Sequence, residues 1–173
     1  RVVTATADYR MGDHDTRMDV TRMAIEAAKR QALEQVAMYL ESVTEVKNLD
    51  VTRDEIRTYT AGIVSVLNQQ TRTRLEDGGV VIHVDLTAQV DQDEVIQAIN
   101  ALRENERATQ ELASLRTEAE QLRQQLDVAN VALATANTAE QVQALTLQRQ
   151  QLLNQMQADD LVAQALTGYA YVT

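Results

Sequence analysis

Four places along this chain of 173 residues carry side chains of a kind and spacing that chemistry uses. His83 and Asp85 lie two residues apart in an alternating stretch, so they share one face, as a base and its orienting carboxylate would. The pair lacks a nucleophile: the chain has no Cys, and its only serines are Ser42, Ser65 and Ser114. A solvated strand face selects the same two residues, and that reading is favoured. Gly12-Asp13-His14-Asp15 sets two carboxylates beside the other histidine, too few ligands and wrongly spaced for a calcium loop; a turn entering a helix cap accounts for it. Asp91-Gln92-Asp93-Glu94 alternates acids as a calcium loop does but lacks the central Gly and the distal Glu, whereas a helix N-terminus favours such charges. The last place is the tail, where Tyr169 and Tyr171 fit either a docking strand or a segment with no role. No residue is therefore assigned to catalysis, cofactor binding or a metal, and no cofactor is expected.

Composition narrows the classes further. The 16 Lys and Arg stand against 26 Asp and Glu, a net charge of -10, which opposes sequence-independent attraction to phosphates; nucleic acid is not an expected partner. With Pro, Cys, Trp and Phe all at zero, disulfides, thiol catalysis and thiolate metal sites are excluded for these residues. The five glycines fall singly or in a pair at element boundaries, so no phosphate-cradling loop is present. No apolar run approaches the roughly 18 residues of a membrane span. Because the first residue is Arg1 and not Met, an export leader or a lipid-bearing Cys is expected ahead of it.

The elements follow from periodicity. Val3, Ala5, Ala7, Tyr9 and Met11 alternate with Thr4, Thr6, Asp8 and Arg10, the pattern of a half-buried strand. Val20, Met23, Ala24, Ala27, Val36, Ala37, Leu40 and Val43 then recur at helical spacing, with Asp15 or Thr16 to cap the first turn and many alanines to permit close approach to a sheet. Lys47-Asn48-Leu49-Asp50 is a polar break, Thr52-Arg53-Asp54-Glu55 is a capping box for a short helix, and Gly62 suits its end. β-branched residues from Ile63 onward, the turn Asp77-Gly78-Gly79 and the alternation of Val80, Ile82, Val84, Leu86, Ala88 and Val90 describe a hairpin.

From Asp91 the composition turns to Ala, Leu, Gln, Glu and Arg, and a long helix is expected. Leu112, Leu115, Ala119, Leu122, Leu126, Ala129, Leu133 and Ala136 keep an unbroken three-four spacing, the seam of a coiled coil that requires a cover. The frame shifts near Asn137, after which Val142, Leu145, Leu152 and Met156 define a new stripe and Thr138-Ala139-Glu140-Gln141 caps it. An antiparallel helical hairpin turning near Asn137 is favoured over one continuous helix, although the turn holds neither Gly nor Pro. The expected fold is α+β: a small three-stranded antiparallel sheet on a long helix over residues 1–91, a coiled coil or hairpin over 92–167 and an extended tail over 168–173.

Residues 21–36 (Thr-Arg-Met-Ala-Ile-Glu-Ala-Ala-Lys-Arg-Gln-Ala-Leu-Glu-Gln-Val), 39–46 (Tyr-Leu-Glu-Ser-Val-Thr-Glu-Val), Asp54-Glu55-Ile56 and Ala61-Gly62-Ile63 resemble a known domain. It is the domain shared by bacterial flagellar outer-membrane lipoproteins and the N-terminal part of the flagellar T-ring assembly protein, and the likeness spans roughly residues 1–97. The resemblance implies an extracytoplasmic, non-enzymatic domain that forms rings or disks at the envelope. Its departures are the absent acylated Cys and the added helical extension, which weigh against a flagellar role. The function expected is that of a self-assembling structural protein of the periplasm, outer membrane or cell surface, with itself and other envelope proteins as partners. The alternative is a periplasmic adaptor that captures a protein through its sheet edge or coiled coil.

Overall fold

The computed structural model describes residues 1–63 and 65–172, with side chains outside 61–67 and 168–172. The order is β1 (Val2–Arg10), α1 (Arg17–Ser42), α2 (Thr44–Lys47), α3 (Arg53–Ile63), β2 (Ser65–Glu76), β3 (Gly79–Gln89), α4 (Gln92–Glu104), α5 (Glu106–Thr135) and α6 (Ala139–Val172). α3 runs through Gly62 and stops one residue later at Ile63, and α6 continues to Val172, so the tail expected to be extended from 168 is helical backbone through Val172.

The fold is α+β. β1, β3 and β2 form one antiparallel sheet in that order, so the strand with the cleanest alternation is central. Val3, Ala5, Ala7 and Tyr9 pair with Ala88, Leu86, Val84 and Ile82 and make one apolar face. Asp77 and Gly78 both hold positive φ, 51° and 77°, the twist that suits a two-residue hairpin and that glycine adopts without cost. α1 covers the apolar face, burying Ala24, Ala28, Ala32, Val36, Ala37 and Leu40; the small side chains let helix and sheet approach closely. Its cap is Thr16, whose Oγ1 accepts the Asp19 N–H at 3.1 Å. Directly before the polar break lies a helix that periodicity does not reveal, the single turn α2, which ends at Asn48; within the break Asp50 holds φ 56°. Thr52 caps α3 as expected, with Oγ1 accepting the Glu55 N–H at 3.1 Å.

The helical part differs from the expectation in one place and meets it in another. The helix that begins after Asp91 is not continuous: α4 stops at Glu104, and Asn105 caps α5 by accepting the Ala108 N–H at 3.1 Å. Apolar spacing does not register this bend, because the three-four pattern runs on across it; the signal for it is the side chain itself, since Asn is disfavoured inside a helix and favoured at an N-cap. The antiparallel hairpin is present and turns at 136–138. Thr138 Oγ1 accepts the Gln141 N–H at 3.2 Å, and Gln141 Oε1 accepts the Asn137 N–H at 3.3 Å. This exchange supplies the partners for which Gly or Pro is otherwise used.

Candidate functional site

The sheet face away from α1 carries the His83 constellation. His83 Nδ1 lies 2.5 Å from Asp8 Oδ1 on β1, and Nε2 lies 2.9 Å from Asp85 Oδ1. Arg72 reaches Asp85 at 2.6 Å, and Arg74 crosses the central strand to Asp8 at 3.1 Å, so the charges lace all three strands together. Asp85 was legible as the neighbour of His83; Asp8 was not, since only the register Asp8↔His83 brings it there. The hydrogen bonds that His83 donates to Asp8, then to Asp85, hold its pKa above the usual 6.5, and the same bonds lower both carboxyls below 3.8.

The sign of the linkage follows. The His83 contribution to stability is full below pH 6.5 and is lost as pH rises through the higher folded value; those of Asp8 and Asp85 are present above 3.8 and lost as pH falls through their lower values. Glu26 and Asp160, raised chiefly by burial, and Glu118, raised by the neighbouring Asp159 carboxyl, also favour folding at low pH. The His83 part is therefore read as a difference. The stability of the native chain minus that of His83→Gln shrinks between pH 5 and 8 when both are unfolded in urea, and a flat difference would remove the imidazolium from the account.

A second charged group is buried and was missed. Arg149 of α6 is 1% exposed, with Nη1 2.6 Å from Asp15 Oδ1 and 3.2 Å from Asn130 Oδ1, and Nη2 3.5 Å from Asp19 Oδ2. Asn130 also donates to the Tyr9 hydroxyl at 3.2 Å, so α1, β1, α5 and α6 meet around one guanidinium. Asp15 thus does more than shape the acidic turn: Oδ2 accepts the Gly12 N–H at 2.7 Å while Oδ1 holds Arg149. The spacing of Val142, Leu145, Leu152 and Met156 passes through position 149 and so signals its burial, whereas none of its partners lies within a turn of it. Asp91 is a plain helix cap, accepting the Glu94 N–H at 3.1 Å. Among the described residues no group of three or more His, Asp or Glu is placed to hold a metal ion.

The seam is covered within the chain. Leu122, Leu126 and Ala129 pack with Leu152 and Leu153 of α6, and in the same cluster with Val20 and Met23 of α1 and Ile82 of β3. Leu112 joins the main core, and Leu133 is buried near the hairpin turn. Leu115 and Ala136 are half-buried and Ala119 is exposed; Leu115 lines an open trough between α5 and α6 with Ser114, Glu118 and Val162. The turn-proximal end of the hairpin shows Val128, Val131 and Leu147 to solvent.

Among the described residues neither edge strand of the sheet, β1 or β2, has a further strand beside it. The bonds Met11 N–H to Val80 O and Val90 N–H to Arg1 O, 2.8 and 2.9 Å, set the ladder phase, so Thr4, Thr6, Asp8 and Arg10 turn their backbone groups outward from β1. Only Thr4 O there accepts a described side-chain bond, from Gln35 Nε2 at 3.0 Å. On β2 the register with β3 leaves Gln69, Thr71, Thr73 and Leu75 facing outward, and every side chain from Asn68 to Glu76 is exposed. Comparison of the chain with protein-family models, curated proteins and solved structures finds no match. Among the described residues no helix is long and apolar enough to cross a membrane.

Proposed function

We propose that this chain is a non-enzymatic structural protein that assembles with copies of itself into a ring, disk, tube or filament by extending its sheet, at the bacterial envelope or cell surface. The observation that carries the assembly is β2. A strand of 12 residues with no neighbour on one side among the described residues is a template for another strand, and proteins that stay apart blunt such edges with charged side chains, proline, bulges or brevity; the one irregularity of β2 lies at its start, between Val66 and Asn68. β2 has no Lys or Pro, and its two arginines are drawn back over the sheet to Asp85 and Asp8. The seam, satisfied by the chain's own α6 and α1, does not call for a second chain. The envelope location rests on the likeness of residues 1–97 to the flagellar lipoprotein domain. An adaptor would use the same edge for an unlike partner; a second open edge on the opposite side of the same sheet favours a like one.

Thr71→Pro tests this. The Thr71 N–H points away from β3, so proline there removes a donor needed by an added strand while leaving the intramolecular ladder paired. Sedimentation of the native chain is expected to show a large homo-oligomer and that of Thr71→Pro a monomer with an unchanged circular dichroism spectrum. A native chain that stays monomeric at high micromolar concentration would leave the adaptor as the better reading.

A further inference from the structure

Resting on that reading, we infer that the strand received by β2 is β1 of the next copy, added in parallel, so that the contact is head-to-tail and not a two-fold pairing of like edges. β1 and β2 both run antiparallel to β3 and therefore run the same way, so a copy that continues the sheet in the same orientation brings its β1 parallel to β2. The row Thr6–Asp85–Gln70 crosses the sheet, which places Thr6 of the incoming copy beside Gln70. Thr6 turns its backbone groups outward, toward the outward-turned Gln69 and Thr71, as the slanted bonds of a parallel ladder require. The Thr6 and Gln70 side chains then stay together on the His83 face.

The helix layer discriminates between the two pairings. α1 lies over β1 and β3, while the helix side of β2 is bare, with Leu75 81% exposed. Gln35 reaches over the β1 edge to Thr4, and Met38, three residues on along the same stripe, is 64% exposed. An incoming β1 carries its α1 with it, and that Met38 comes over the bare face of β2. Two β2 strands side by side would instead leave both bare faces in water and bring Arg72 and Arg74 against the same arginines, where the incoming β1 offers Asp8. A head-to-tail contact closes into a ring if its rotation closes and otherwise grows as a filament.

The absence of native Cys makes the test direct. Thr6→Cys and Gln70→Cys chains bearing different tags are co-expressed and treated with a short bismaleimide. The expected product is the mixed-tag dimer; Gln70→Cys alone gives none, the double variant gives a ladder of multimers, and adding Thr71→Pro abolishes all products. A product from Gln70→Cys alone would establish the two-fold pairing. Assembled particles without a mixed product would overturn this inference and leave the assembly reading intact, whereas monomers throughout, native chain included, would overturn both.

Discussion

Arg149→Ala is expected to lower the free energy of unfolding by about 3–5 kcal/mol, the cost of leaving buried charge without its partner. The Asp19 side chain is 2% exposed and that of Asp15 14%, so neither carboxylate regains much water when the guanidinium goes. Proximity of Asp19 to the α1 N-terminus compensates only about 0.3–1 kcal/mol. For a domain stable by about 5–15 kcal/mol, that loss is a large fraction. The network is also imperfect: Arg149 Nε and Nη2 have no hydrogen-bond partner among the described residues. Replacing the most buried pair, Arg149→Met with Asp19→Leu, should therefore recover part of what the single change loses, the Asp15 carboxylate still being left without its guanidinium. Arg123→Ala serves as the contrast, since Arg123 holds Glu120 and Asp127 on the exposed face of α5 and such pairs contribute about 0–1 kcal/mol. Urea titrations followed by circular dichroism measure all three. A loss at Arg149→Ala no greater than at Arg123→Ala would show the guanidinium to be solvated.

Leu122→Asp should unfold hairpin and sheet together. From the sequence two outcomes are expected: loosening of the two hairpin helices with residues 1–97 intact if Val142–Met156 covers the seam, or dissociation of an assembly if another chain does; the packing changes both. Leu122 is 7% exposed in one cluster with Val20, Met23 and Ile82, so a carboxylate there removes apolar contact from α1 and β3 as well as from α6. Truncating a buried leucine costs about 2–5 kcal/mol, and the desolvated charge adds to it. A single transition in far-ultraviolet dichroism and tyrosine fluorescence is expected, at a much lower urea midpoint. A fragment ending at Asn100 removes Leu102, Ala108, Leu112 and Ala163 from the main core and should not hold the native sheet. Native dichroism in that fragment, or two separate transitions in Leu122→Asp, would make the hairpin an independent unit.

Much of the local structure was legible because its causes are local. Period-two alternation in β1 and β3, the hydroxyl caps at Thr16, Thr52 and Thr138 and the positive-φ pair Asp77-Gly78 each depend on residues within a turn of one another. The cap at Asn105 is equally local, an Asn accepting the amide three residues on, but no break in the apolar spacing accompanies it and so periodicity passes over it.

The sequence by itself determined the strands, the longer helices and the hairpin turn near Asn137, since residue type and short-range spacing suffice for these. Only the tertiary structure decided which charges are functional parts of the fold and which surfaces remain free. Asp8 meets His83 across 75 positions and Arg149 meets Asp15 across 134, distances over which composition and period carry no information. The seam finds its cover in α1 and β3 as well as α6, and β2 is left outside the helix layer, because chain topology, not hydropathy, sets which apolar stripe a helix lies on and which strand is left at the edge.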